Sequence, residues 1–260
     1  MKKTLLTETE VFPDEFRKYT ENSIVYDSSC SPEARVYFID RDGGYYLKRA
    51  PKGSLAREAA MTDYFHSKAL ATEVIGYICA DHDWMLTRAV QGEDCCDAIY
   101  TADPKRLCDT LACLLRHLHE TDKSGSPVTD HTSIYFDTVK TNHEKGMFDA
   151  DFLPRGYEKI SADEAYDAVG QSKGLFKSDT LLHGDYCLPN VMLDNWKFSA
   201  FIDLDHAGVG DRHVDLFWGA WTLNFNLKTD IYRDRFFDAY GRDKIDQNLL
   251  DAVALAECFG

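Results

Sequence analysis

Asp185, Asn190 and Asp203 are the residues of this chain whose types and spacing could do chemistry together. All three fall in residues 181–205, LLHGDYCLPNVMLDNWKFSAFIDLD. Asp185 and Asn190 belong to one irregular loop that begins at His183, and Asn190 opens a short apolar run, Val191-Met192-Leu193. Asp194-Asn195 turns the chain, and residues 199–204 form a second apolar run that carries Asp203. A carboxylate, an amide and a second carboxylate thus stand on the rim of one hairpin. This is the equipment of phosphoryl transfer. One carboxylate orients a hydroxyl and accepts its proton, while an amide and a carboxylate hold Mg²⁺ against nucleotide phosphates. HGD alone is a weak signal, but HGD-x4-N with I-D-L beginning twelve residues after Asn190 is specific. The bland alternative is a hairpin with solvated turn acids. Against it, Ile202 and Leu204 flank Asp203, and an acid among apolar neighbours is costly without a partner such as a metal.

The stretch resembles the kinase-like antibiotic phosphotransferases, in particular the aminoglycoside 3′-O-phosphotransferases (kanamycin kinases). Residues 208–218, GVGDRHVDLFW, are similar to that family's segment after its metal-binding aspartate. The resemblance implies an α+β, two-lobed protein-kinase-like fold. Residues 1–92 would form an antiparallel-sheet lobe with one helix, and residues 93–260 an α-rich lobe with the catalytic loop and substrate site. It implies transfer of the γ-phosphoryl group of ATP or GTP, with Mg²⁺, to a hydroxyl of a cationic aminoglycoside, which confers antibiotic resistance. Asp185 would be the catalytic base, with Asn190 and Asp203 as metal ligands and His183 as support for the loop.

The elements that must position these groups can be read in order. Residues 1–22 look helical, with Phe12 and Phe16 on one face. Strand-like runs follow at 24–26, 35–39 and 45–48, with a Ser-rich turn at 27–32 where a protein kinase has its glycine-rich loop. The chain has neither GxGxxG nor GxxxxGK, so a P-loop is excluded; turn amides and Ser hydroxyls can still donate to phosphates. Lys48 ends the third strand, and Ser54 is placed to cap a helix to about Leu70 that carries Glu58. A strand lysine and a helix glutamate can form the ion pair that holds the lysine on the α- and β-phosphates. Alone they would be ordinary surface charges. The two-residue strand period puts Tyr46 on the face of Lys48, and in the family an aromatic there stacks on adenine. The resemblance also assigns Ser31 to nucleotide positioning, and the backbone of Arg88 and Ala89, after a hairpin over 74–90, to adenine.

Residues 104–119 read as an amphipathic helix with Leu107, Leu111, Leu114, Leu115 and Leu118 on its apolar face. Further helices are expected over 135–147, 162–169, from 212, over 230–240 and over 245–258. Asp149 and Asp151 lie in a segment that in the family supplies acidic contacts to aminoglycoside amines. Glu257 matches a glutamate of the family's acidic C-terminus, and Asp211 is a further candidate acid. Three positions depart from the family: Ala256 stands where an aspartate is usual, Gly260 extends the chain by one residue, and Asp205 replaces a glycine. Gly208 and Gly210 are only a fragment of a dinucleotide fingerprint, and no Rossmann unit surrounds them.

Composition bounds the rest. At 260 residues and 44% hydrophobic content, the chain can bury a real core in one large domain or two lobes. It has no apolar run long enough for a membrane span and only a poor signal peptide, so a cytoplasmic protein is expected. The eight cysteines have irregular spacing and no CxxC pair, which suits reduced thiols, with Cys108 and Cys113 in the core, and not zinc. A net charge of −15 argues against nucleic acid and anionic membranes, and suits a cationic small partner. Three other readings are a metabolite kinase for choline, an amino alcohol or a sugar, a non-catalytic nucleotide-binding module, and a protein kinase. The first shares every catalytic residue. The second has no need of Asp185, and the third needs an activation loop that is absent after Asp203.

Overall fold

In a computed structural model, residues 3–7, 10–30, 32 and 34–260 are described. The strands in chain order are β1 Thr4–Leu5, β2 Ile24–Asp27, β3 Arg35–Asp40, β4 Tyr45–Pro51, β5 Val74–Cys79, β6 His82–Arg88, β7 Glu93–Asp94, β8 Thr180–Leu182, β9 Val191–Asp194, β10 Lys197–Phe201 and β11 Gly208–Gly210. The helices are α1 Arg17–Thr20, α2 Ala56–Ser67, α3 Ala98–Thr101, α4 Pro104–Glu120, α5 His131–Glu144, α6 Ala162–Ser172, α7 His213–Leu227, α8 Arg233–Tyr240 and α9 Gln247–Glu257. The chain divides into two compact units, one of residues 1–94 with 190–205 and one of residues 95–189 with 206–260. The hairpin carrying Asn190 and Asp203 therefore belongs with the sheet unit, not with the helical lobe to which its sequence position assigned it.

The first unit is an antiparallel sheet in the order β1-β2-β3-β4-β6-β5. Its inner face alternates with the strand period: Tyr37 and Ile39 on β3, Tyr45 and Leu47 on β4, and Trp84 and Leu86 on β6 are buried together with Phe16. Tyr46 and Lys48 take the other face of β4. A helix over residues 1–22 does not form beyond α1 and a 3₁₀ turn, because Thr4 and Leu5 pair with Tyr26 and Asp27, and Pro13 has no N–H to give a helix interior. Helix α2 packs Ala59, with Leu55 just before it, against Ala50 and Met85. Ser54 does not cap it: its hydroxyl donates to the Pro51 carbonyl, and the buried Asp83 carboxylate accepts the Leu55 N–H at 2.9 Å instead.

Strands β10, β9 and β7 form a second sheet of this unit. Asn195 and Trp196 both have positive φ, as a two-residue hairpin turn requires. Gly92, at φ +98°, lets the chain press against this hairpin: a Cβ there would lie 2.0 Å from the Leu193 carbonyl oxygen.

In the second unit, α4 buries Leu107, Cys108, Leu111, Ala112, Leu115 and Leu118. Cys113, expected in the core, is exposed. Helices α5, α6 and α9 share a core of Phe136, Val139, Ala165, Val169, Leu255 and Phe259. Leu182 of β8 packs with Val214 and Val253. Among the described residues no helix is long and apolar enough to cross a membrane.

Candidate active site

In the sheet unit, one cation is shared by two carboxylates. Lys48 Nζ lies 2.7 Å from Glu58 Oε2 and 3.0 Å from Asp203 Oδ1. Register makes this possible, since β4 delivers Lys48 and the first turn of α2 delivers Glu58. The pairing of Phe201 with Val191 and the Ile202 N–H to Asn190 carbonyl bond, 3.0 Å, bring Asn190 and Asp203 to the same end of their hairpin. Strand β10 ends at Phe201, short of Leu204, so Asp203 is not a strand residue. It sits at φ +60°, a left-handed conformation that non-glycine residues adopt at a cost, with its side chain 53% exposed. This strain aims the carboxylate out of the apolar line of Ile202 and Leu204.

Burial pulls Lys48 toward neutrality, but Glu58 and Asp203 overcome it and its pKa is raised. Glu58 is pushed up to about 7, first by burial and then by the charges of Asp203 and Asp205, against the pull of Lys48. One lysine facing the two carboxylates of Glu58 and Asp203 leaves an excess of negative charge between them, which a divalent cation would neutralise. Asn190 and Asp203 suit Mg²⁺, which is bound through one or two carboxylates plus substrate phosphates rather than a dedicated cage. Among the described residues there is no cluster of three or more His, Cys, Asp or Glu that could hold a metal ion.

Tyr46 stands on the Lys48 face, 5.2 Å between ring centroids from Phe38. The Ala89 N–H is donated to the Gly44 carbonyl at 3.0 Å, which leaves its carbonyl as the backbone group of Ala89 for a base. The Arg88 carbonyl accepts from the Thr72 hydroxyl and retains a second lone pair. Ser31 lies outside the described residues. Its neighbour Ser29 is spent closing the turn, accepting the Val36 N–H at 2.9 Å.

In the second unit, Asp185 is half-buried on a loop whose backbone is fastened from behind. The Asp215 carboxylate, fully buried on α7, accepts the N–H groups of His183 at 2.8 Å and Gly184 at 2.7 Å. His119 Nε2 lies 3.1 Å from it and His119 Nδ1 2.8 Å from the Tyr240 hydroxyl. Burial pushes His119 down, so a neutral imidazole donates from Nε2 and accepts from Tyr240. Burial pushes Asp215 up, but the bonds from His119 and the loop outweigh it and its pKa is lowered. Two turns on, the Thr222 hydroxyl accepts the Leu188 N–H at 3.1 Å. Gly184, at φ +84°, leaves room for the His206 carbonyl, which a Cβ would meet at 1.9 Å. His183 is buried and accepts the Asp185 N–H on Nδ1 at 3.3 Å, a supporting role. Sequence reasoning gave Asp215 no role; the available signal was a lone acid within the apolar run of HVDLFW.

The four candidate substrate acids separate. Asp149 and Asp151 are exposed, and the Asp149 N–H donates to the Cys258 carbonyl at 2.7 Å, which ties their segment to the residue after Glu257. Glu257 is buried, with the Tyr135 hydroxyl at 2.8 Å, and is pushed up to about 7, chiefly by burial. Asp211 is a correction. It is buried and accepts the Lys177 N–H, the His213 N–H and His213 Nδ1, so it is a structural cap and not a surface for ammonium groups.

Asp215→Asn would set an amide N–H₂ against loop donors. A buried charged network broken this way costs about 3–5 kcal/mol, so a clear fall in Tm and in turnover is expected; an unchanged Tm would contradict the fastening role. Glu257 favours folding when protonated, because its folded pKa lies above its unfolded one. That contribution is full below pH 4.5 and is lost as pH rises toward about 7. Thermal scans of Glu257→Gln should therefore show it gaining on the wild type between pH 5 and pH 8; a pH-independent difference would contradict the shift.

The chain is similar to known proteins over most of its length. Residues 31–253 match the profile of the phosphotransferase enzyme family, APH. The chain is 51% identical over 259 residues, 99% of its length and 98% of the relative's, to a protein of Lactococcus lactis subsp. lactis named a "probable aminoglycoside 3′-phosphotransferase". It is 25% identical to the aminoglycoside 3′-phosphotransferase of Streptomyces fradiae, over 91% of each chain. Among solved structures, a type VIII aminoglycoside-3′-phosphotransferase superposes with a TM-score of 0.77 at 21% identity, covering 95% of this chain and 97% of the other. An aminoglycoside phosphotransferase of Streptomyces rimosus, solved with ADP and streptomycin, gives 0.70 at 20% identity, over 86% and 90%. The fold is thus the two-lobed kinase-like one that the sequence led us to expect, and the chain belongs to the phosphotransferase enzyme family.

Proposed function

We propose that this protein transfers the γ-phosphoryl group of ATP or GTP to the 3′-hydroxyl of an aminoglycoside of the kanamycin–neomycin class, and so confers resistance. The observation that carries this reading is the Lys48 ammonium held between Glu58 and Asp203, a preorganised cation for nucleotide phosphates. The 51% identity to a named aminoglycoside 3′-phosphotransferase supplies the acceptor class. A nucleoside triphosphate donor puts the reaction in the cytoplasm.

In this reading Lys48 binds the phosphates and Glu58 keeps its side chain extended. Asn190 and Asp203 would hold Mg²⁺, which when bound would neutralise phosphate charge. Tyr46 gives the base an aromatic face, and the Arg88 carbonyl an acceptor. Asp185, on its fastened loop, orients the acceptor hydroxyl and takes its proton. Asp149 and Asp151 pair with acceptor ammonium groups, each exposed pair contributing about 0–1 kcal/mol.

The test is ADP release measured across aminoglycosides, choline and amino alcohols, in wild type and Asp185→Asn. Turnover with aminoglycosides is expected, and the variant should lose about 10²-fold or more in kcat while keeping Mg-nucleotide affinity. Turnover with choline or amino alcohols alone would favour a metabolite kinase, and a variant that loses nucleotide affinity instead of rate would remove the base assignment.

A further inference from the structure

Helix α2 carries Glu58, yet no side chain of its own caps its start. Leu55 stands at the cap position with an apolar side chain, and the Ser54 hydroxyl is turned to the Pro51 carbonyl at 2.7 Å. The first N–H groups of a helix have no partner within it. Here the partner of the Leu55 N–H comes from the sheet. Asp83 Oδ2 on β6 accepts it at 2.9 Å, and the same oxygen accepts the Tyr77 hydroxyl of β5 at 2.8 Å. Asp83 is fully buried. Burial raises its pKa, but the N–H groups of Gly53 and Leu55 outweigh it and the pKa is lowered to about 2. A negative charge therefore stands at the positive end of the helix. A serine or aspartate within the helix would satisfy the same N–H without fixing the helix to the sheet; Asp83 does both.

The sheet register puts this joint beside the phosphate site. Lys48 lies opposite Met85 across β4 and β6, and Ala50 lies opposite Asp83, so Lys48 and Asp83 share one face of the sheet. Helix α2 covers that face, with Leu55 and Ala59 packed on Ala50 and Met85. Asp83 holds the helix at Leu55, and Lys48 meets it one turn later at Glu58, 2.7 Å away. A second joint lies behind the helix. The Leu70 carbonyl accepts the Phe201 N–H at 2.8 Å, and Ala71 bridges to Phe201, two residues before Asp203. Helix α2 is about 18 Å long at 1.5 Å per residue. Released from Asp83, it would stay tied at the Leu70 end, and Glu58, in the first turn, lies near the end that would swing most.

We propose that Asp83 is a positioning residue for nucleotide binding. By fixing the start of α2 it sets where Glu58 stands, and so where Lys48 Nζ is held between Glu58 and Asp203. The proposal rests on the reading of Lys48 as the phosphate-binding group and adds to it the residue that aims it.

The test measures the Kd for Mg-ATP by titration calorimetry, and Tm, in Asp83→Ala, Asp83→Asn and Tyr77→Phe. Alanine removes the acceptor and should raise Kd about 10-fold or more, the worth of one hydrogen bond to a charged group. Asparagine keeps an acceptor and loses the charge, so it should raise Kd about 2- to 5-fold, the range for a charge at a helix N-terminus. Tyr77→Phe removes a bond to the same carboxylate and leaves the one to Leu55, so it should lower Tm with Kd near that of the wild type. On a Glu58→Gln background, Asp83→Ala should raise Kd little further, because the placement it sets is already lost. If Asp83→Ala does not fold, Asp83→Asn carries the test. A wild-type Kd in the folded Asp83 variants, a Kd that follows Tm across all three substitutions, or an equal further loss on the Glu58→Gln background would overturn the proposal and leave Asp83 as a helix cap. A wild type that binds no Mg-ATP would overturn the proposed function and this inference with it.

Discussion

The buried Asp215 carboxylate is the constraint on which the catalytic loop depends. An ionised group this deep is tolerable only if its lone pairs are taken, and here two loop N–H groups and a neutral imidazole take them. The demand runs both ways. The carboxylate needs the loop's donors and the loop needs their acceptor, so Asp185 is presented by a backbone fastened at His183 and Gly184. Gly184 belongs to the same arrangement, since its positive φ and missing side chain let the His206 carbonyl approach. Thr222 fixes the far end of the loop through Leu188, just before the chain passes at Asn190 into the other unit.

The second organising interaction is a deliberate imbalance of charge. Lys48 alone does not balance Glu58 and Asp203, and the Glu58 carboxyl is raised first by its burial and then by the charge of Asp203. In the proposed reading such a site holds its groups ready for phosphates without neutralising them, and the left-handed backbone of Asp203 leaves its side chain 53% exposed. In the same proposed reading the exposed Asp149 and Asp151 would meet a polycationic acceptor, on a chain of net charge −15.

Much of this was legible in the sequence because local rules governed it. The two-residue period put Tyr46 and Lys48 on one face, and the helical period of α4 named its buried leucines. HGD-x4-N with the later I-D-L located the hairpin. What could not be read depended on groups distant in sequence. Ser54 looked like a cap, but Asp83 of β6 does that work. The bond from the Ala89 N–H to the Gly44 carbonyl had no signal in the sequence. Asp211 looked like a surface acid, but His213 and Lys177 enclose it. Asp203 looked like a strand residue, because apolar flanks do not reveal a left-handed turn. Asp215, the acid that matters most to the loop, carried only the faint signal of a charge inside an apolar helix.

The most direct measurement of the account is the position of the phosphate on kanamycin after incubation with the protein, ATP and Mg²⁺, read by phosphorus and proton NMR. The account predicts a single ester at the 3′ oxygen, and no product from an aminoglycoside that lacks that hydroxyl. An ester at another oxygen, equal turnover of the 3′-deoxy compound, or ADP release without any phosphorylated antibiotic would contradict it.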